Sequence, residues 1–159
     1  GVGDVIVPKQ EKRKIPTQLS DFEAPTVNTY SLETTIAEKI DAILSLMEFS
    51  SRMKDYYDIY YLANKFDFDG KILTEALKKT FANRGHSFTV EQFKQVLTFG
   101  SDDAMQKKWK AFVRKIDTKT DDYSTVLKTI KVFLAKPFVA AAKGTIFMDK
   151  WNAQNGRWM

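Results

Sequence analysis

The apolar residues of the chain recur with a helical period from Ser31 onward, and this pattern limits the fold more than any other feature. In the first segment they fall at i, i+4, i+7, i+8 and i+11, on one helix face: Ile36, Ile40, Ile43, Leu44 and Met47. Five more such segments begin near positions 52, 72, 89, 101 and 122. Thr89 and Gln92 match a capping box in the fourth segment, and Pro137 predicts a kink in the sixth. The sequence therefore predicts a helical region over residues 32–143.

Short strands are predicted on the N-terminal side of this helical region. Residues 1–8 read as a strand ended by a proline, residues 9–25 as a polar loop, and residues 26–31 as a second strand. Residues 144–159 are predicted to form an irregular or briefly extended tail. Two strands alone do not make a stable sheet, so we expect either further strands from a longer protein or a two-stranded ribbon packed on the helices. The predicted fold class is α+β, predominantly α, with one or two strands in residues 1–31 followed by a helical bundle.

The composition argues against several classes of function. The 159 residues include no cysteine and one histidine, His86, which excludes disulfides and thiolate or histidine-rich metal sites and disfavours a Ser-His-Asp triad. We interpret His86 as a turn residue. No apolar run approaches the roughly 18 residues that span a membrane, and the lack of cysteine fits a reducing cytoplasm. The net charge of +5 suits either an anionic partner, such as nucleic acid or a nucleotide, or a solvated lysine-rich surface.

A group of charged residues interrupts the aromatic stretch "SSRMKDYYDIYYL" at residues 50–62. On a helix, Asp55 and Asp58 are at i and i+3 and share a face, while Lys54 and Asp58 are at i and i+4 and are able to pair. The apolar stripe lies on the opposite side. We therefore expect these charges to line a groove beside the core instead of lying inside it.

The preceding helix carries Glu38, Lys39 and Asp41 beside its own apolar stripe. If the two helices pack as an antiparallel pair, both charged edges face one cleft. A lysine there is a donor for phosphate, and a carboxylate holds a cation, orients a donor or helps to bind magnesium. Two interpretations stay open: an ion-pair network that ties the helices together, each exposed pair contributing about 0.5 kcal/mol, or an anion or nucleotide site.

Three motifs in this order resemble the AbiEii/AbiGii toxin family of nucleotidyltransferases, found in type IV toxin–antitoxin systems: "GVGDVIVP", "YSLETTIAEKIDAI" and "SRMKDYYDIYYLANKFDFDG". The resemblance covers residues 1–75 and is weaker in the helical remainder. It implies a nucleotidyltransferase-like fold, in which a small sheet holds acidic metal ligands ahead of a helical C-terminal region. It also implies transfer of a nucleotide from a nucleoside triphosphate to an acceptor, tRNA in some members, with Mg²⁺ as the metal. The biological setting it implies is bacterial abortive infection, with an antitoxin as partner.

The same resemblance implies roles for individual residues. Lys39 matches the family's helix lysine, a triphosphate contact, and Asp55 and Asp58 match its acidic pair, which orients Lys39 or the substrate. Arg52 and Lys54 match basic positions that assist nucleotide binding. We therefore expect a catalytic group of Lys39, Asp55 and Asp58, beside a basic nucleotide-binding edge.

Asp4 matches the aspartate of the family's Gly-x-Gly-Asp strand and is the predicted metal ligand. The family's glycine-serine turn and Asp-x-Asp pair have no counterpart here, and a single carboxylate does not hold the metals of nucleotidyl transfer. We therefore expect a C-terminal part of such an enzyme, inactive by itself. The alternatives are a non-catalytic helical module that binds antitoxin or RNA, and a structural fragment of a degenerate member. We interpret Trp109, Trp151 and Trp158 as packing residues, with stacking on RNA bases as the alternative.

Overall fold

The computed structural model describes residues 31–117 and 119–159, so the strands and loop predicted for residues 1–30 lie outside it. Within these residues the chain has six α-helices, two short 3₁₀ turns and three short strands, which confirms the predicted α+β, predominantly α class. The helices are α1 Leu32–Leu46, α2 Met53–Lys65, α3 Gly70–Asn83, α4 Val90–Leu97, α5 Asp103–Ile116 and α6 Tyr123–Lys143. The 3₁₀ turns are Met47–Phe49 and Thr98–Ser101, and the strands are β1 Phe68–Asp69, β2 Lys150–Asn152 and β3 Arg157–Trp158. No helix of the described part has the length and hydropathy to cross a membrane.

Short polar side chains fix where most of the helices begin. The Ser31 hydroxyl accepts the amide N–H of Thr34 at 3.1 Å, as expected for the N-cap of α1. At α4 the predicted capping box is present: the Gln92 amide donates to the Thr89 hydroxyl at 3.1 Å, and the Thr89 amide donates to the Gln92 side chain at 2.7 Å. Aspartates cap α3, α5 and α6 in the same way. Each such cap contributes about 1 kcal/mol by supplying an acceptor for an amide that the helix leaves without a partner.

The core lies where α1 packs against α2 and α3, and where α6 packs against the same two helices. The predicted stripe of α1 is buried from Ile36 to Leu44, whereas Met47 falls beyond the helix end and has a positive φ of 51°. Ring contacts join the elements: Phe93 stacks on Phe138 at 4.7 Å between centroids. Because the helices share this one core, α1 and α2 are held firmly next to each other.

The small sheet joins the tail to the bundle. Its strand order is β1-β2-β3, all antiparallel, and Trp151 of β2 pairs with Phe68 of β1 and with Trp158 of β3. The tail, predicted as irregular or briefly extended, thus contributes two strands. At Gly70 the amide donates to the carbonyl of Asp149 at 2.8 Å, and a Cβ atom there would lie only 2.5 Å from that oxygen. Only glycine permits the tail to come this close.

Two tryptophans of the tail donate their indole N–H groups to backbone carbonyls in helices. Trp151 Nε1 donates to the carbonyl of Ala63 at 2.7 Å, in the last turn of α2, where carbonyls lack helical partners. Trp158 Nε1 donates to the carbonyl of Phe133 at 3.0 Å. The residue four positions after Phe133 is Pro137, which has no N–H, and α6 runs on through it. The tail therefore satisfies acceptors that two helices leave open, which agrees with the packing interpretation of these tryptophans.

Candidate functional site

The side chains of Lys39, Asp55 and Asp58 meet between α1 and α2. Lys39 Nζ lies 2.8 Å from Asp58 Oδ2 and 3.6 Å from Asp55 Oδ1. All three side chains are buried, with exposed fractions of 6% for Lys39, 3% for Asp55 and 0% for Asp58. The sequence predicted that these residues share a face, but it placed them along a groove. In the structure they form a buried ionic cluster instead.

Two further cations border this cluster on its exposed side. Arg52 Nε lies 3.1 Å from Asp55 Oδ2, and Lys54 forms an ion pair with Asp58, the i, i+4 contact expected from the sequence. The Arg52 side chain is 61% exposed and that of Lys54 is 28% exposed. Positive charge therefore runs from a buried ammonium at Lys39 to a solvent-facing guanidinium at Arg52. An anion that approached from solvent would meet Arg52 and Lys54 first.

Local helix geometry explains how the cluster forms. Asp55 lies in the first turn of α2, where the positive end of the helix dipole favours a carboxylate. Asp58 is three residues further and projects to the same side. Lys39 reaches both from α1, which packs against α2. This arrangement follows from the helical registers of the two segments, and its charge pairing compensates the cost of burying the ammonium.

The described side chains of the cluster include more cations than carboxylates. Among the residues that the structure describes, three cations face two carboxylates: Lys39, Arg52 and Lys54 against Asp55 and Asp58. Burial raises the pKa of Asp55 above its ordinary value of 3.8, while the charges of Lys39 and Arg52 act in the opposite direction. Asp58 Oδ1 is buried and accepts no hydrogen bond from the residues that the structure describes. The two carboxylates therefore hold the ammonium of Lys39 in one position.

The other charged residues of α1 do not join this cluster, contrary to the expectation of one shared cleft. Glu38 Oε2 accepts from Arg84 Nη2 at 2.9 Å, and Asp41 Oδ2 lies 2.8 Å from His86 Nδ1. Residues one or two positions from Lys39 project from other sides of the helix, so Glu38 and Asp41 face the end of α3. Their positions on the helical wheel already indicate that Glu38 and Asp41 project to other sides of α1 than Lys39 does.

His86 has a partner that the sequence did not indicate. Gly85 follows α3 with a φ of +71°, and the His86 amide donates to the carbonyl of Phe81 at 2.8 Å. This turn directs the chain back towards α1, where His86 meets Asp41. The interpretation as a turn residue describes its position correctly but misses this contact, which joins residues far apart in the sequence.

The described residues do not offer a metal centre. Among residues 31–117 and 119–159 there is no group of three histidine, cysteine, aspartate or glutamate side chains able to hold a metal ion. Asp55 and Asp58 are engaged with cations, which would repel a divalent ion. The predicted ligand Asp4 lies outside the described residues.

Comparison with known proteins identifies one family. The family model described as "Nucleotidyl transferase AbiEii toxin, Type IV TA system" matches residues 1–137. This match contains all of the residues of the buried cluster and its exposed edge. Comparisons with curated proteins and with solved structures give no match.

Proposed function

The chain belongs to the AbiEii family of type IV toxin–antitoxin nucleotidyl transferases, and we propose that its Lys39 cluster binds the triphosphate of the nucleotide that is transferred. The observation that carries this proposal is the ammonium of Lys39, fixed between Asp55 and Asp58 at 3.6 and 2.8 Å. Arg52 and Lys54 extend the positive surface towards solvent. Among the residues that the structure describes, the cations of the group outnumber its carboxylates by three to two, which suits a polyanion such as a triphosphate.

In nucleotidyl transfer a hydroxyl oxygen of the acceptor attacks the α-phosphorus of the nucleoside triphosphate. The bond from the α-phosphorus to the bridging oxygen breaks, pyrophosphate leaves, and the hydroxyl proton passes to a base or to solvent. Negative charge accumulates on the departing pyrophosphate, where fixed cations stabilise it most. We assign this role to Lys39, with Arg52 and Lys54 holding the outer phosphates. The acceptor in this proposal is tRNA, and the reaction takes place in the cytoplasm.

The two aspartates act in this proposal as positioning residues. A lysine side chain has four rotatable bonds, and the loss of that freedom opposes binding. Asp58 and Asp55 remove this freedom before the nucleotide binds, because their carboxylates hold the buried ammonium in place. Their effect on the reaction is therefore indirect, through the ammonium that they hold.

The divalent metal expected for such a transferase, Mg²⁺ by the family resemblance, has no fitting site among the described residues. We assign its binding to residues outside that part of the chain, with Asp4 as the predicted ligand. The steps assigned to Lys39, Arg52 and Lys54 do not depend on the position of the metal.

Label transfer from α-labelled nucleoside triphosphates to total tRNA tests the proposal. Because this chain is expected to be inactive by itself, the assay uses the full-length protein. We expect transfer by that protein and a loss of at least about 100-fold in its Lys39→Met variant, equivalent to about 2.7 kcal/mol of transition-state stabilisation. The matched control is Lys65→Met, an exposed lysine at the end of α2, which should retain full transfer. Circular dichroism of each variant separates loss of function from loss of fold.

Three outcomes of this assay have distinct meanings. Unchanged transfer by Lys39→Met contradicts the assignment of the triphosphate contact. Transfer to a protein or a free nucleotide, with tRNA unlabelled, corrects the acceptor and leaves the role of Lys39 intact. No transfer by the full-length protein, together with RNA or antitoxin binding, favours the non-catalytic module.

A further inference from the structure

A second basic surface lies away from the Lys39 cluster, on α4 and α6. A groove of about 660 Å³ separates the end of α4 and the following 3₁₀ turn from the first half of α6. Along α6 it is lined by Leu127, Lys128 and Lys131, and along α4 by Lys94 and Leu97. We call it the lysine groove. Its position on α4 and α6 makes it independent of the function proposed for α1 and α2.

The floor of the lysine groove is aliphatic and closely packed. Leu97 and Leu127 line it from opposite sides, and Gly100 brings the two walls together. A Cβ atom at Gly100 would lie 3.4 Å from Leu127 Cδ1 and 3.2 Å from Ser124 Oγ. Ser124 also donates to the Gly100 carbonyl at 3.1 Å, so these polar atoms are already satisfied by each other. What the floor offers to a partner is mainly apolar surface.

The rim of the lysine groove is rich in positive charge, and of its lysines Lys128 also interacts electrostatically with the carboxylate of Asp122. Lys94, Lys128 and Lys131 are exposed, and none of them forms an ion pair with a residue that the structure describes. The groove lining includes no carboxylate. Lys128 and Lys131 are at i and i+3 and project to the same side of α6, opposite Lys94 on α4. An occupant would therefore meet an aliphatic floor between two basic edges.

We propose that the lysine groove binds an acidic amphipathic helix of a partner protein. Leucine or isoleucine side chains of such a helix would cover the partly exposed Leu97 and the aliphatic stems of the rim lysines. Its glutamates and aspartates would face Lys94, Lys128 and Lys131. This is the helix-in-groove mode of recognition, with charge complementarity at the edges. A nucleic acid fits less well, because the lining has no aromatic ring for base stacking and no arginine for bidentate phosphate contacts.

The test uses two fluorescent peptides of about 16 residues, long enough to form a helix. One carries leucines at i, i+3, i+4 and i+7 flanked by glutamates, and the other has the same composition in scrambled order. Fluorescence anisotropy with the full chain should show that the patterned peptide binds at least about tenfold more tightly. The double variant Lys128→Glu/Lys131→Glu should weaken binding at least about tenfold at low salt, with a smaller loss at high salt. Lys136→Glu, an exposed lysine on another side of α6, is the matched control and should bind as the wild type does.

The remaining outcomes overturn the proposal. Equal affinity for the patterned and scrambled peptides means that the aliphatic floor takes no part. Equal binding by the double variant and the Lys136→Glu control means that the peptide binds elsewhere. A homopolymeric RNA that binds more tightly than the patterned peptide, and that also loses affinity in the double variant, identifies the groove as a nucleic-acid surface.

Discussion

The hydrogen bond from Trp158 to α6 predicts that two distant substitutions are coupled. Pro137 deprives the Phe133 carbonyl of its helical donor, and Trp158 Nε1 supplies one at 3.0 Å. Trp158→Phe keeps a ring stacked near Phe133 but removes the N–H. A buried acceptor without its donor costs about 1–3 kcal/mol. We expect the free energy of unfolding to fall by about that amount, with a further loss from the smaller ring.

Pro137→Ala restores an amide N–H at the position that serves the Phe133 carbonyl. In the wild-type background that carbonyl already accepts a hydrogen bond from Trp158, so the restored N–H adds little to the free energy of unfolding. In Trp158→Phe it replaces the lost donor, and we expect it to recover about 1–2 kcal/mol. The two substitutions should therefore show a favourable coupling energy of this size in a double-mutant cycle.

Urea unfolding followed by far-ultraviolet circular dichroism measures the cycle without relying on tryptophan fluorescence. The midpoints should change while the dependence on urea stays constant. Trp151→Phe with Pro137→Ala is the matched control, because Trp151 Nε1 donates to Ala63, which no proline has deprived of its donor. Additivity within about 0.5 kcal/mol for Trp158 and Pro137 would refute the reasoning.

Three further predictions concern the Lys39 cluster and the tail. Asp58→Asn removes the nearer of the two described carboxylates that contact buried Lys39 and should lower the free energy of unfolding by about 3 kcal/mol in urea titrations; an unchanged midpoint would show that Lys39 finds compensation elsewhere. Because burial raises the pKa of Asp55 above 3.8 in the folded protein, its contribution to stability is present below that pH and is lost as the pH rises through the raised pKa. The stability of Asp55→Asn relative to that of the wild type should therefore rise as the pH increases above 3.8, and a constant difference would contradict the direction of the shift. Gly70→Ala places a Cβ atom 2.5 Å from the Asp149 carbonyl oxygen. We expect it to lower the free energy of unfolding by about 2 kcal/mol and to change the tryptophan fluorescence. A variant with the stability and the spectrum of the wild type would mean that the tail moves away from the new methyl group at little cost.

Local chemistry made most of the helices predictable. The stripe from Ile36 to Leu44 and the Thr89–Gln92 capping box depend only on residues within one or two turns, and the structure contains both. The Lys54–Asp58 pair followed from i, i+4 spacing in the same way. Features of this kind are encoded in short windows of sequence, where geometry is fixed by the helix itself.

Long-range contacts were less accessible to sequence reasoning. The meeting of Lys39 with Asp55 and Asp58 required the packing of α1 on α2, which the sequence analysis assumed as an antiparallel pair but apolar periodicity did not specify. The Asp41–His86 contact and the indole donors of the tail join residues far apart in the chain, and no local pattern indicates them. Burial of the cluster also escaped prediction, because a helical wheel shows which side a residue faces and not what covers it.

The bond between Trp151 and Ala63 spans 88 residues of sequence. At synthesis rates of 5–20 residues per second, about 4–18 s pass between translation of the two positions. During that interval the end of α2 and the backbone at Gly70 lack their partners in the tail, Trp151 and Asp149. This part of the fold is therefore completed only after the tail has been translated. Slow codons or a pause ahead of residue 151 would prolong the exposure of the incomplete helical bundle to chaperones and proteases.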